Sequence, residues 1–174
     1  PGAPAEIPGT MAVVPRIERL LRAFREAGKP IVHIVRLYLS DGSNADLCRR
    51  EWLRSGQEIA CPGSAGAQPV KGLLPEAAGD LDCPLLLRGG IQSAGPNETI
   101  IYKPRWGAFF GTPLQEHLEN LQVHTLVVCG CNYPNCPRTT IYEASERDYR
   151  LVLVTDAISG IYQRGEDELR AIGV

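Results

Sequence analysis

Two residues stand where a chain can build a nucleophile and its setting, Cys136 and Lys103. Cys136 closes the stretch Thr125-Leu-Val-Val-Cys-Gly-Cys-Asn-Tyr-Pro-Asn-Cys136 and is followed directly by Pro137. The short apolar run Leu126–Val128, ending at Gly130, predicts a buried strand. Gly130–Asn135 then predicts a tight turn. Proline suits the first helical position, where its missing N–H would be unpaired anyway, so Pro137 begins a helix and Cys136 caps it. The free N–H groups and dipole of a helix start stabilise a thiolate. The same N–H groups can face the oxyanion that forms when sulfur attacks a carbonyl. Lys103 follows a second apolar strand, Glu98-Thr-Ile-Ile-Tyr102. In open parallel sheets ligands bind beyond the carboxyl ends of the strands, which is where both residues fall.

Other residues could do chemistry, and most have a plainer role. The six cysteines are Cys48, Cys61, Cys83, Cys129, Cys131 and Cys136. They form no CxxC pair and no histidine follows at finger spacing, so a zinc site is not indicated. A split of five structural thiols and one reactive thiol is expected. His33 lies within an apolar run and reads as a satisfied core histidine, while His117 and His124 read as surface positions. Arg49 and Arg50 could grip a substrate carboxylate, although arginines in a loop more often face water. Trp106, Phe109 and Tyr133 flank the two site residues and could wall a small substrate pocket.

The elements that would carry these residues alternate between two periodicities. Val14, Ile17, Leu20, Leu21 and Phe24 repeat at helical spacing from about Met11 to Ala27, and Gly28 with Pro30 ends that helix. Pro1–Pro8 before it reads as loop. Ile31–Val35 is a strand, Asp46–Trp52 a short helix, and the Gly-, Pro- and Ala-rich stretch Gly56–Gly79 a long loop of the kind that covers sites. Thr112-Pro-Leu-Gln115 has the form of a capped helix start, with Leu114, Leu118 and Leu121 facing inward. A strand over Leu151–Val154 and a last helix from Glu166 complete the chain. Strands alternating with helices predict an α/β fold of three layers, α/β/α, with a mainly parallel central sheet in a single domain over 1–174.

A chain of 174 residues can bury a core without staples. Its net charge of −2 gives no footprint for nucleic acid, and no stretch has the length or composition for a membrane. With no signal layout at the start, a cytoplasmic protein is expected.

Gly130-Cys-Asn-Tyr-Pro-Asn-Cys136, a helix, and then Tyr149-Arg-Leu-Val-Leu-Val-Thr-Asp-Ala157 resemble the nucleophile region of isochorismatase-like cysteine hydrolases. Tyr102-Lys-Pro-Arg-Trp-Gly-Ala-Phe-Phe-Gly-Thr112 matches a second block of that family, in the same order. The resemblance implies a Rossmann-like fold and an aspartate–lysine–cysteine triad, with Cys136 the nucleophile and Lys103 its cationic neighbour. It implies an oxyanion held by N–H groups of Cys136 and of the turn, with a non-proline cis peptide at Cys131–Asn132. The family's aspartate lies on a strand before the first helix, so no residue from Pro1 onward takes that role, and the expectation is a chain whose first strand and C-terminal end lie outside this sequence. Homodimers or homotetramers are also implied.

The substrate class follows from what is present. Metal-binding nicotinamidase-like members carry an Asp-x-His after the second strand, whereas Leu37-Tyr-Leu-Ser-Asp-Gly-Ser-Asn44 has no histidine. Metal and other cofactors are therefore not expected. A vinyl-ether hydrolase of isochorismatase type needs no thiol. The cysteine points to hydrolysis of the C–N bond of a small amide, carbamoyl or ureido compound through a thioester. The vinyl-ether reaction and a non-catalytic, ligand-binding member remain as alternatives.

Overall fold

The apolar stripe that opens the chain folds as its spacing requires. In the computed structural model, which describes residues 6–174, helix α1 spans Thr10–Glu26 and buries Val14, Ile17 and Leu21. Gly28 takes φ 60° and lets Lys29 N–H return to Phe24 O at 2.9 Å, which satisfies the helix end. Of the loop expected over Pro1–Pro8, the part up to Ala5 lies outside the described residues.

Strand β1 (Ile31–Val35) pairs in parallel with β3 (Glu98–Tyr102), in register from Ile31 opposite Glu98 to Val35 opposite Tyr102. On the other edge of β3 lies β2 (Ile91–Gly95), antiparallel and joined to it by a tight hairpin. The sequence reading had no strand there. Ile91-Gln-Ser-Ala-Gly is short, polar and bulged at Ser93–Gly95, so it lacks the alternation that marks a half-buried strand. Strand β4 (Thr125–Gly130) pairs in parallel with β5 (Arg150–Ile158), which is longer than expected and bulged opposite Gly130.

The sheet is therefore two ladders, β1-β3-β2 and β4-β5. No strand of the described residues pairs with the outer edge of β1 or of β4. Side-chain packing joins the ladders. On one face α1 lays Ile17 and Leu21 against Ile31, Cys129 and Ala157. Across the sheet, Val32, Ile34, Ile101, Leu126 and Leu151 pack with Leu114 and Leu118 of α4 (Leu114–Asn120) and Ala144 of α5 (Cys136–Ser145). The result is a three-layer α/β/α arrangement with a mainly parallel sheet.

Helix α2 (Leu47–Arg54) follows Asp46, and the stretch after it holds only two single turns of 3-10 helix, Ala65–Ala67 and Glu76–Ala78. Helix α3 (Cys83–Leu87) is capped by Asp82, whose side chain accepts from Leu85 N–H at 2.9 Å. Helix α6 (Gln163–Ala171) starts earlier than expected. At α4 the expected capping box is absent: Gln115 turns instead to Glu119, 2.9 Å away.

Candidate active site

Parallel pairing puts Lys103 at the carboxyl edge of the sheet. Its N–H extends the β1–β3 ladder by one bond, to Val35 O at 3.1 Å, and its side chain is buried. The ammonium donates to the carbonyl of Trp106 and stands near enough to the Cys136 sulfur for each to act on the other's charge. Burial pulls the lysine below its ordinary 10.5; Cys136 pulls it back up, Arg36 lowers it further, and Glu143 raises it.

Cys136 is the first residue of α5 and does not cap it. Asn135 holds that place, because its carbonyl accepts the first helical bond, from Thr139 N–H at 3.0 Å. Among the first-turn donors, Pro137 has no N–H, and those of Arg138 and Thr139 go to Tyr133 O and Asn135 O. The Cys136 N–H remains as the donor beside its own sulfur.

The turn before it is pinned from several sides. The Cys131–Asn132 peptide is cis. Tyr133 N–H donates to Ser159 O at 2.8 Å, and Ser159 N–H returns to Gly130 O at 3.0 Å. Gly160, at φ 71°, passes so close that a Cβ there would meet Pro134 Cδ at 3.3 Å. The first residue of α1, Thr10, reaches the same turn, with its hydroxyl near the Cys131 thiol and 3.4 Å from that of Ser159.

Tyr133 corrects the sequence reading. It is fully buried, its hydroxyl donates to Gly165 O at 2.9 Å, and its ring meets Tyr162 edge-on. It anchors the turn to α6 and walls no pocket. Arg49 hydrogen-bonds the Tyr38 hydroxyl, on a ring it shares with Arg36. Trp106 does lie beside Lys103. Phe109 is core, packed with Leu114 and Leu118. Surface cavities of about 430 and 140 Å³ lie at the amino ends of the strands, around His124 and Tyr149 and around Ile31 and Asn97.

Two features had no place in the sequence reading. One is a clamp from α5 to the segment after Lys103. Ala108 N–H donates to Thr140 Oγ1 at 3.1 Å and Phe109 N–H to Glu143 Oε2 at 3.0 Å, while Thr140 donates to Cys136 O at 2.8 Å. Thr140 and Glu143 follow Cys136 by four and seven residues, so one helix face carries all three, a spacing that could have flagged them. The other is Arg36, the first residue past β1, whose Nη2 donates to the buried Asp46 at 2.9 Å. Its position directly after an apolar strand was the available signal.

The cysteines divide differently from the expectation. Cys48 and Cys131 are exposed residues, and only Cys83 is buried as a whole residue. Burial pushes the Cys129 thiol up to about 11. It raises that of Cys131 too, whose sulfur is covered although the residue as a whole is exposed, with Cys136 adding to the shift and Thr10 and Lys103 opposing it. Among the described residues no group of three or more His, Cys, Asp or Glu is gathered as a metal site would need, and no helix is long and apolar enough to cross a membrane.

Residues 90–169, which include Lys103, Cys136 and the turn between β4 and α5, match the isochorismatase domain model. The crystal structure of an isochorismatase family protein from Desulfovibrio vulgaris superposes with a TM-score of 0.84 at 35% identity, covering 100% of this chain and 84% of that one. The chain belongs to the isochorismatase family. Two curated relatives are more distant. A probable inactive nicotinamidase of Arabidopsis thaliana is 29% identical over 159 residues, and N-carbamoylsarcosine amidase of an Arthrobacter species is 24% identical over 168. These matches take in 90% and 94% of this chain and 71% and 57% of those relatives.

Proposed function

We propose that the protein hydrolyses the C–N bond of a small amide, carbamoyl or ureido compound through a thioester on Cys136. The observation that carries this reading is the buried Lys103 ammonium beside a sulfur at the first residue of a helix. In the proposed cycle the Cys136 thiolate attacks the carbonyl carbon. The oxyanion is held by the N–H groups of Cys136 and of the cis turn. The tetrahedral species collapses once the departing nitrogen has taken a proton, releasing ammonia or an amine and leaving a thioester. Water then attacks the thioester, which frees the acid and restores the thiol. Lys103 orients the sulfur and favours its anion through charge.

The proton acceptor is the aspartate that the family resemblance implies. Of the described carboxylates, Asp46 is engaged by Arg36, Asp156 pairs with Arg16 at the surface, and Glu143, which acts on the Lys103 charge, accepts from Phe109 N–H. A non-catalytic, ligand-binding role is the second reading, favoured by the name of the Arabidopsis relative, a probable inactive nicotinamidase. Six free cysteines fit a reducing, cytoplasmic setting. Exposed Leu47 and Phe110 are offered as parts of a homodimer or homotetramer interface.

Ammonia release from a panel of small amides, ureas and carbamates tests the reaction. Turnover by the protein and none by Cys136→Ala is the expected result. Release that persists in Cys136→Ala, or none from any compound, would remove the hydrolase reading.

A further inference from the structure

We infer that Glu143 is the positioning residue for Lys103, fixing the backbone from Trp106 to Phe109 and with it the carbonyl that receives the lysine ammonium. The role belongs to the hydrolase reading of Cys136, but what it governs, the reactivity of the sulfur, is measured without any substrate.

A lysine stem is long and flexible, so its ammonium keeps one place only where its partners are themselves fixed. At Lys103 those partners are the Cys136 sulfur, set by the start of α5, and the Trp106 carbonyl. That carbonyl has no ladder to hold it, because residues 104–113 form neither helix nor strand. What holds the segment is α5. Phe109 N–H donates to Glu143 Oε2 at 3.0 Å and Ala108 N–H to Thr140 Oγ1 at 3.1 Å. The same helix thus carries the nucleophile and, about two turns on, the carboxylate that fixes the acceptor for its cation.

Gly107 shows how closely the carboxylate approaches. Its backbone is not in the left-handed region that usually calls for glycine, yet a Cβ there would fall within the Glu143 carboxylate. Space alone accounts for the glycine, one residue after the carbonyl in question. Glu143 is braced in turn. Arg147 Nη1 donates to Glu143 O at 2.7 Å and its Nε to Gln115 Oε1 at 3.0 Å. The same guanidinium lies over the Phe109 ring, 4.8 Å from its centroid, so one arginine secures both ends of the bond from Phe109 to Glu143.

Charge agrees with the geometry. Cys136 and Glu143 act on the ammonium from α5 and Arg36 from the end of β1, while Lys103 acts on Cys131 in the turn. Glu143 is the carboxylate of that set. It favours the protonated lysine, which burial and Arg36 disfavour.

The test is iodoacetamide labelling of the whole chain at about pH 7, read as the rate at Cys136 divided by the rate at Cys48. Glu143→Ala should lower that ratio by about tenfold or more, the scale on which a small displacement at a reacting group acts. Glu143→Asp keeps the charge but falls a methylene short of Phe109 N–H, and should be as slow. Glu143→Gln keeps an oxygen for Phe109 N–H and should stay within about threefold of the parent. In a Lys103→Gln background, Glu143→Ala should change the ratio by less than about twofold, since no ammonium is left to position. Arg25→Met, at the far end of the sheet, should weaken the fold and leave the ratio alone. An undiminished ratio in both Glu143→Ala and Glu143→Asp would overturn the inference. So would a Gln variant as slow as the Ala variant, an equal loss without Lys103, or an equal loss in Arg25→Met. A Glu143-dependent ratio in a protein that releases ammonia from no amide would keep this inference and remove the hydrolase. Ammonia release that needs Cys136 while Glu143→Ala leaves the ratio undiminished would do the reverse.

Discussion

Gly107 is where a single methyl group should disturb the site most. A Cβ built there falls within the carboxylate of Glu143, closer than non-bonded atoms approach. The obstacle is the tip of a flexible side chain, so a rotation relieves the clash. What the rotation costs is the bond from Phe109 N–H to Glu143 Oε2, 3.0 Å long. Hydrogen bonds to charged groups contribute about 1.5–3 kcal/mol, and partial exposure of Glu143 puts this one near 1.5. Gly107→Ala should therefore lower stability by about 1.5 kcal/mol, and Glu143→Ala by a similar amount because it removes the same bond. The double variant should lose no more than Glu143→Ala alone, a coupling of about 1.5 kcal/mol. Function follows the same path. Trp106 O, one residue before Gly107, accepts from the Lys103 ammonium. A displacement of about 1 Å at a reacting geometry costs on the order of 100-fold, so ammonia release should fall well beyond the stability loss. Urea unfolding and turnover of the four proteins give the cycle. Neutral behaviour of Gly107→Ala, or strictly additive losses, would refute the clamp.

At the opposite end of the sheet, Glu98 is buried against Arg25, with bonds of 2.6 and 2.9 Å, and His33, at 2.6 Å. Arg25→Met strands that carboxylate and should cost about 3 kcal/mol in urea unfolding, the low end for a broken buried pair because Arg25 is partly exposed. His33 sits below its ordinary 6.5, burial outweighing Glu98. The unfolded chain thus takes up that proton first, so stability should fall as pH drops below 6.5, with a smaller fall in His33→Gln. Lys103 has the same sign at higher pH. Its folded value lies below 10.5, so unfolded chains bind more protons between the two. Stability should rise across that window as the buried charge is relieved, and Lys103→Met should flatten the rise in urea midpoints.

Much of this was legible in the chain. The stripe of α1, the apolar strands and the stops at Gly28 and Pro30 are local signals that tertiary packing had no reason to override. Cys136 could be singled out because Pro137 and the turn fix a helix start, and Lys103 because it ends an apolar strand. The misses have physical causes. Strand β2 exists because β3 offers it an edge, which no property of Ile91–Gly95 announces. Tyr133 looked like a pocket wall because adjacency in sequence says nothing of which way a turn points; its hydroxyl went inward to Gly165. Arg36 and the Thr140–Glu143 clamp depend on pairing across elements far apart in the chain, and only the register of β1 with β3 and the rotation of α5 bring them to the site.

The central claim is that Lys103 and the start of α5 activate the Cys136 sulfur. Iodoacetamide labelling at about pH 7, below the range where free thiols titrate, followed by peptide mass spectrometry, reads it directly, with the exposed Cys48 as internal standard. Cys136 should be labelled many-fold faster than Cys48, and Lys103→Gln should bring the two rates together. Labelling of Cys136 no faster than Cys48, or equally fast without the lysine, would contradict the account.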